Sequence, residues 1–137
     1  MWSASELTAR IRRRGLPTVL ATIATRGGPS AHPGLEYRAE AVWAPSWSVI
    51  EDSGRTDLIP LWCCGTVTMF SAADGTFVSW DAEEAQPYDT FPDFAAAIRS
   101  LLTDLYEDEV LEKDRRAIAR LLLPMWRRRY ALQPEER

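Results

Sequence analysis

Two cysteines, one histidine and one lysine are all that 137 residues contain, and no uncharged run exceeds the 16 residues from Leu58 to Ala73. Each scarcity excludes something. Cys63 and Cys64 are adjacent, so they build neither a disulfide framework nor a zinc cage. A membrane span needs about 20 apolar residues, and Pro60 and Gly65 interrupt even the longest uncharged run. No membrane association is therefore expected. Arg10, Arg12, Arg13 and Arg14 arrive before any apolar stretch, unlike a secretory leader, so the expected location is cytoplasmic. A composition of 46% hydrophobic and 26% charged residues is that of a globular chain, and the length suits one domain.

The formal net charge of −4 conceals a segregated pattern. Between Glu51 and Glu109 there are thirteen acidic residues against two arginines, Arg55 and Arg99. Basic runs flank this block at Arg12–Arg14 and Arg127–Arg129. An acidic centre repels phosphate, which argues against nucleic acid as a ligand there. It is either a well-solvated surface or a face for a basic partner.

Local patterns predict the elements. Ser3 and Glu6 have the spacing of a capping box, and Leu7 and Ile11 follow at helical spacing as far as Gly15. A first helix is expected over 4–14 and a second, opened by Pro17, over 17–26. Pro29 to Gly34 reads as a loop carrying His32. Leu35, Tyr37, Ala39 and Ala41 alternate with Glu36, Arg38 and Glu40, which predicts a strand, continued by Trp43, Trp47, Val49 and Ile50. Leu58–Trp62, Val67–Phe70 and Phe77–Trp80 read as further strands, the last two joined by the Asp74–Gly75 turn. Pro60 marks an edge or a strand start, because it cannot donate to a ladder. The sheet is expected to have four to six strands between about 35 and 81. Thr90, Pro92 and Asp93 signal the start of a helix over 91–107, with Phe94, Ile98, Leu101, Leu102 and Leu105 facing the sheet. Ile118, Leu121 and Leu122 predict a last helix stopped by Pro124, with a short basic turn after Met125.

Candidate chemistry is sparse. His32 stands alone, and a general base needs a nucleophile and an orienting group beside it. Cys63 and Cys64, adjacent on a strand, point to opposite faces, one core and one exposed. Asp81, Glu83 and Glu84 lack the loop spacing of a calcium hand. Gly27–Gly28 has neither the preceding strand nor the following lysine of a phosphate loop. Trp43, Trp47, Trp62 and Trp80 are core or interface material. The residues themselves describe a binding module rather than an enzyme, and no cofactor or metal is expected.

Several motifs fall in one order. A helix over Glu6–Arg14 is followed by Gly15-Leu16-Pro17 and a second helix ending in Gly27-Gly28. Leu58–Leu61 and Thr66–Phe70 come next, then Asp74-Gly75-Thr76-Phe77-Val78-Ser79-Trp80-Asp81, and finally Thr90-Phe91-Pro92-Asp93-Phe94 before an amphipathic helix. This order resembles the SUKH superfamily of Smi/Knr-type proteins over roughly residues 6 to 105. Departures are Cys63–Thr66, where the family usually has a Gly-rich, aspartate-containing strand start, and Ala82, where a histidine often follows Trp-Asp.

The resemblance implies an α+β fold, a mostly antiparallel sheet flanked by N-terminal and C-terminal helices. It implies a single SUKH-like domain over 1–137, with 106–137 a helical C-terminal extension. It also implies a non-catalytic protein-binding role. Many bacterial members look like immunity proteins that neutralise partner toxins, often nucleases, and eukaryotic members look like regulatory scaffolds. The family's motifs fix no binding residues. The candidate partner-binding residues are read from charge instead: Trp80, Asp81, Glu83, Glu84, Tyr88 and Asp89, an acidic stretch bracketed by aromatics. Such a face would suit a basic toxin, with Trp80 either an anchor or part of the core.

Overall fold

The computed structural model describes residues 2–41, 46–84 and 86–123. The order of elements is α1 (Ala4–Arg13), α2 (Val19–Arg26), α3 (Ser46–Ser53), β1 (Ile59–Cys64), β2 (Val67–Ser71), β3 (Phe77–Asp81), β4 (Gln86–Phe91), α4 (Phe94–Glu107) and α5 (Glu112–Leu122). The strands form one antiparallel meander in the order β1-β2-β3-β4, so the fold is α+β. No helix among the described residues is long and apolar enough to cross a membrane.

The first two helices form where local signals place them. Ser3 caps α1, its hydroxyl accepting from the Glu6 N–H at 3.2 Å. Leu7 and Ile11 are its fully buried stripe. Both helices pack on the inner face of the sheet, with Leu20, Ile23 and Ala24 of α2 in the same cluster as Ile59, Leu61, Met69 and Phe77. Arg14, just past α1, fastens this layer to the sheet. Its Nη1 donates to the Asp57 carbonyl at 2.8 Å and to the Ser71 carbonyl at 2.9 Å.

The segment after α2 is not the expected strand. Gly28–Ser30 and Pro33–Leu35 are short 3-10 turns, and the buried residues are Leu35, Arg38 and Ala41, three apart, while Tyr37 is 69% exposed. Backbone bonds explain the difference. Gly28 N–H donates to the Arg38 carbonyl at 2.7 Å, and Ala41 N–H donates to Ala24 at 2.8 Å, so the segment folds back on α2. Gly28 permits this, since a Cβ there would lie 2.4 Å from the Leu35 carbonyl oxygen. Among the described residues of this segment, Ala39 alone pairs with the sheet, exchanging two hydrogen bonds with Cys63 on β1. The strand expected through Trp47, Val49 and Ile50 is the helix α3, and Trp43 lies outside the described residues. Val49 and Ile50 pack on the outer face of the sheet against Leu58, Phe70, Ala72 and Val78.

The remaining strands match expectation where they carry apolar residues. Gly75, at φ +89°, makes the β2–β3 turn, and Pro60 sits on the edge strand β1. β4 was not anticipated, so the sheet lies between 59 and 91 rather than 35 and 81. Its only buried residue is Phe91, and an outer strand with one face in solvent needs no apolar alternation. Thr90 is therefore a strand residue. Asp93 is the cap of α4, accepting from the Ala96 N–H at 2.8 Å. α4 buries Ile98, Leu101, Leu102 and Leu105 as expected, and Phe94, partly buried, meets Phe77 at 5.5 Å between ring centroids. α5 adds Ile118, Ala119 and Leu122 to this core, but Leu121 is exposed. Pro124 and the basic turn after Met125 lie outside the described residues.

Two predictions concern stability. Phe94→Ala should cost about 2 kcal/mol, because half a ring's burial is lost, and Phe70→Ala about 4 kcal/mol from a fully enclosed site. Urea unfolding of both variants checks the order, and equal losses would contradict it. Asp57 is clamped by Arg55, with Nε–Oδ1 at 2.9 Å and Nη2–Oδ2 at 2.7 Å, and accepts from the Ala73 N–H at 3.0 Å. The Arg55 bond is the main reason that its carboxyl is held down to about 2. The resulting stability is complete above the unfolded value of about 4 and is lost as pH falls through the folded value. Asp57→Asn should cost about 1 kcal/mol at pH 7, and its deficit against the native chain should close towards pH 2. A deficit that stays constant from pH 6 to about 2 would contradict this assignment.

Candidate functional site

The helices leave part of the inner sheet face open. A cleft of about 520 Å³ lies over the row Trp62–Met69–Ser79–Asp89, one residue from each strand in register. Strand spacing makes this row about 14 Å wide. Val67 and Phe91 also line the cleft, and polar and apolar groups share its surface. Ser100 and Asp104, one turn apart on α4, form one wall, and Arg38 lines the cleft beside β1. The volume falls within the range of sites that hold a small ligand or an inserted side chain.

Arg38 is the unusual member. It is 4% exposed, and Nη1 lies 3.5 Å from Asp108 Oδ2. Its Nε is buried with no hydrogen-bond acceptor among the described residues. A buried guanidinium is retained only where something compensates its lost hydration. The sequence offered no hint of this role, because Arg38 occupied a polar position in an apparent alternating strand.

The six residues singled out from the sequence do not form one patch. Tyr88 and Asp89 are exposed and line the cleft at its β4 end. Neighbours on a regular strand point to opposite faces. Here the register shifts opposite Ser79 and Trp80, so Pro87 and Tyr88 together occupy one step of the ladder and both Tyr88 and Asp89 reach the cleft. Trp80 is on the other face of the sheet, half-buried against the outer cluster of Val49, Phe70 and Val78. Asp81 is a structural staple, accepting from the Thr66 hydroxyl at 3.0 Å and the Glu83 N–H at 2.9 Å. Glu83 and Glu84 are exposed on the β3–β4 turn, where Gln86 donates to Glu84 at 3.2 Å.

The other candidates are placed as follows. His32 Nδ1 accepts from the Gly34 N–H at 2.9 Å and so caps a 3-10 turn, and its Nε2 lies 3.8 Å from Asp114. Cys63 is buried against the Thr68 hydroxyl at 3.2 Å, while Cys64 is exposed and lines the cleft. Arg10 lies over the Trp2 ring at 4.0 Å, part of a basic α1 surface shared with the exposed Arg12 and Arg13. Glu83 and Glu84 on the β3–β4 turn and Asp89 on β4 thus lie apart from the basic helix α1 in the chain.

Comparison with known proteins found no matching family model, no matching curated protein and no matching solved structure.

The burial of the two thiols makes a direct prediction. Iodoacetamide added to the folded chain should alkylate Cys64 alone, read by mass spectrometry of the digested protein, and Cys63 only after unfolding. Labelling of Cys63 in the native chain would contradict the strand orientation.

Proposed function

We propose that this chain is a non-catalytic protein-binding domain of SUKH type, an immunity protein that neutralises a basic toxin, with a nuclease as the favoured class. The observation that carries the reading is the cleft whose β4 rim presents Tyr88 and Asp89 next to the exposed Glu83 and Glu84. An exposed aromatic ringed by carboxylates suits the centre of a protein-binding patch. A nuclease must carry a basic surface towards its substrate, so an acidic partner can occupy that surface and exclude the nucleic acid. Complementary charge speeds the encounter, and contacts made by the exposed Tyr88 ring slow release.

The cleft groups serve binding. Asp89 offers a carboxylate, Ser100 a hydroxyl and the exposed Tyr88 an aromatic ring, while Trp62, Met69, Ser79 and Phe91 are buried beneath them. His32 and Cys63 are engaged elsewhere in holding the fold. Trp80 supports this rim from behind, as part of the outer cluster rather than as an anchor.

Affinity capture with the full chain from its native host should return a basic protein that is toxic when expressed alone and harmless when co-expressed with this chain. A captured partner without toxicity would instead favour a regulatory or scaffold role for the same fold. With the partner in hand, reversing Glu83 and Glu84 to Lys should slow association by on the order of tenfold at low salt, and the difference should shrink as screening shortens to about 10 Å at 0.1 M. An unchanged on-rate at every ionic strength would remove this edge from the interface.

A further inference from the structure

We propose that the depression lined by Arg10, Arg13 and Arg14 beside α1 is a site for a phosphate monoester, with the three guanidinium groups holding its terminal oxygens. The site is separate from the cleft, and it stands whether or not that face binds a protein.

Helical spacing brings the three together. Positions 10, 13 and 14 are related as i, i+3 and i+4, so their side chains share one flank of the chain at the end of α1. They line a depression of about 280 Å³, with the buried Ile59 of β1 behind them. Like charges at this spacing oppose helix formation. Arg38, Arg55 and Arg116 each face a carboxylate. Arg10, Arg13 and Arg14 have none within ion-pair distance among the described residues. Asp57, whose charge reaches Arg14, is already engaged by Arg55 in a two-bonded fork.

Each guanidinium is instead held by a neutral partner. Arg14 Nη1 donates to the Asp57 carbonyl at 2.8 Å and to the Ser71 carbonyl at 2.9 Å, and it lies 3.3 Å from the Ser71 hydroxyl. Arg10 lies over the Trp2 ring at 4.0 Å, and Arg13 Nε donates to the Ala9 carbonyl at 3.4 Å. These contacts position the groups and leave their charge unanswered. Burial, and less strongly the charge of Arg10, hold the Arg14 guanidinium below its usual range against the pull of Asp57, so an anion here is favoured by both neighbours.

The donor set selects the ligand class. A carboxylate offers two oxygens in one plane. A phosphate monoester offers three acceptor oxygens and a charge of about −1.5 to −2 at pH 7, which suits three separate guanidinium groups. Arginine meets such oxygens with paired N–H donors and keeps its charge at every physiological pH.

The test is an NMR titration of the full chain at pH 7 and constant ionic strength, with inorganic phosphate, glycerol 3-phosphate and acetate as probes. Both phosphates should give saturable shifts at the side-chain Nε–H groups of Arg10, Arg13 and Arg14, and acetate should bind at least about tenfold more weakly. Arg13 is exposed, so Arg13→Gln leaves the fold intact, and it should weaken phosphate about tenfold, the loss of one charge-assisted bond. Arg12→Gln and Arg116→Gln remove the same charge elsewhere: Arg12 lines a different depression with Arg26, and Arg116 pairs with Glu112 on α5. Each should change phosphate binding less than about twofold, because an exposed charge is screened with distance. Equal losses in all three variants would reveal a diffuse basic field and overturn the site, as would acetate binding as well as phosphate or an absence of saturable shifts. Co-sedimentation with phosphatidic acid vesicles but not phosphatidylcholine vesicles, lost in Arg13→Gln, assigns the phosphate to a lipid headgroup. Binding of glycerol 3-phosphate without co-sedimentation assigns it to a soluble ester.

Discussion

A four-stranded sheet with apolar residues on both faces must be covered on both, and the way α4 meets that demand shapes everything else in this molecule. Phe94 packs on Phe77, and Ile98, Leu101, Leu102 and Leu105 continue into the core shared with α1, α2 and α5. The same docking turns Ser100 and Asp104 towards the next row of the sheet, where they become a wall instead of a lid. The cleft is thus a consequence of packing. Burial of the α4 stripe fixes the rotation of the helix, and the rotation decides which polar side chains look across at Asp89.

The outer face is closed more simply. α3 lays Val49 and Ile50 on Phe70 and Val78, and Trp80 and Ala82 complete that cluster. Arg14 and Asp57 then join the layers at the sheet's other end, with Arg14 bridging the Asp57 and Ser71 carbonyls and Asp57 held by Arg55. Stability and recognition are therefore spatially divided. The arginine-rich clamp lies by α1 and the entry to β1, whereas Glu83, Glu84 and Asp89 lie on the β3–β4 turn and β4. This division lets acidic residues accumulate at the rim without loosening the core, since Glu83 and Glu84 repel each other only through solvent.

What the sequence revealed tracks how each residue is stabilised. Elements with an apolar period of their own were legible: α1 through Leu7 and Ile11, α4 through Ile98 and Leu105, and the β2–β3 hairpin through Phe70, Gly75 and Phe77. Segments set by their neighbours were not. Leu35 to Ala41 alternates like a strand, yet the hydrogen bonds from Gly28 and to Ala24 fold it onto α2. α3 is an eight-residue helix, too short for a period of 3.6 to be told from one of 2. β4 is polar because it is an edge, so the very feature that exposes it hid it. The candidate site divides the same way. Tyr88 and Asp89 were legible from charge and aromaticity, and the irregular step at Pro87 that aligns them was not. Arg38 was invisible as a site residue, because only the tertiary structure brings it to the cleft.

Docking of a protein partner on the inner-face cleft and its β4 rim, as proposed, is tested most directly by hydrogen exchange of the full chain, alone and in complex with its captured partner. New protection is expected at Tyr88 to Phe91 and around Ser100 to Asp104, with α1 unchanged. Protection confined to α1 and its arginines, with β4 exchanging as in the free chain, would contradict it.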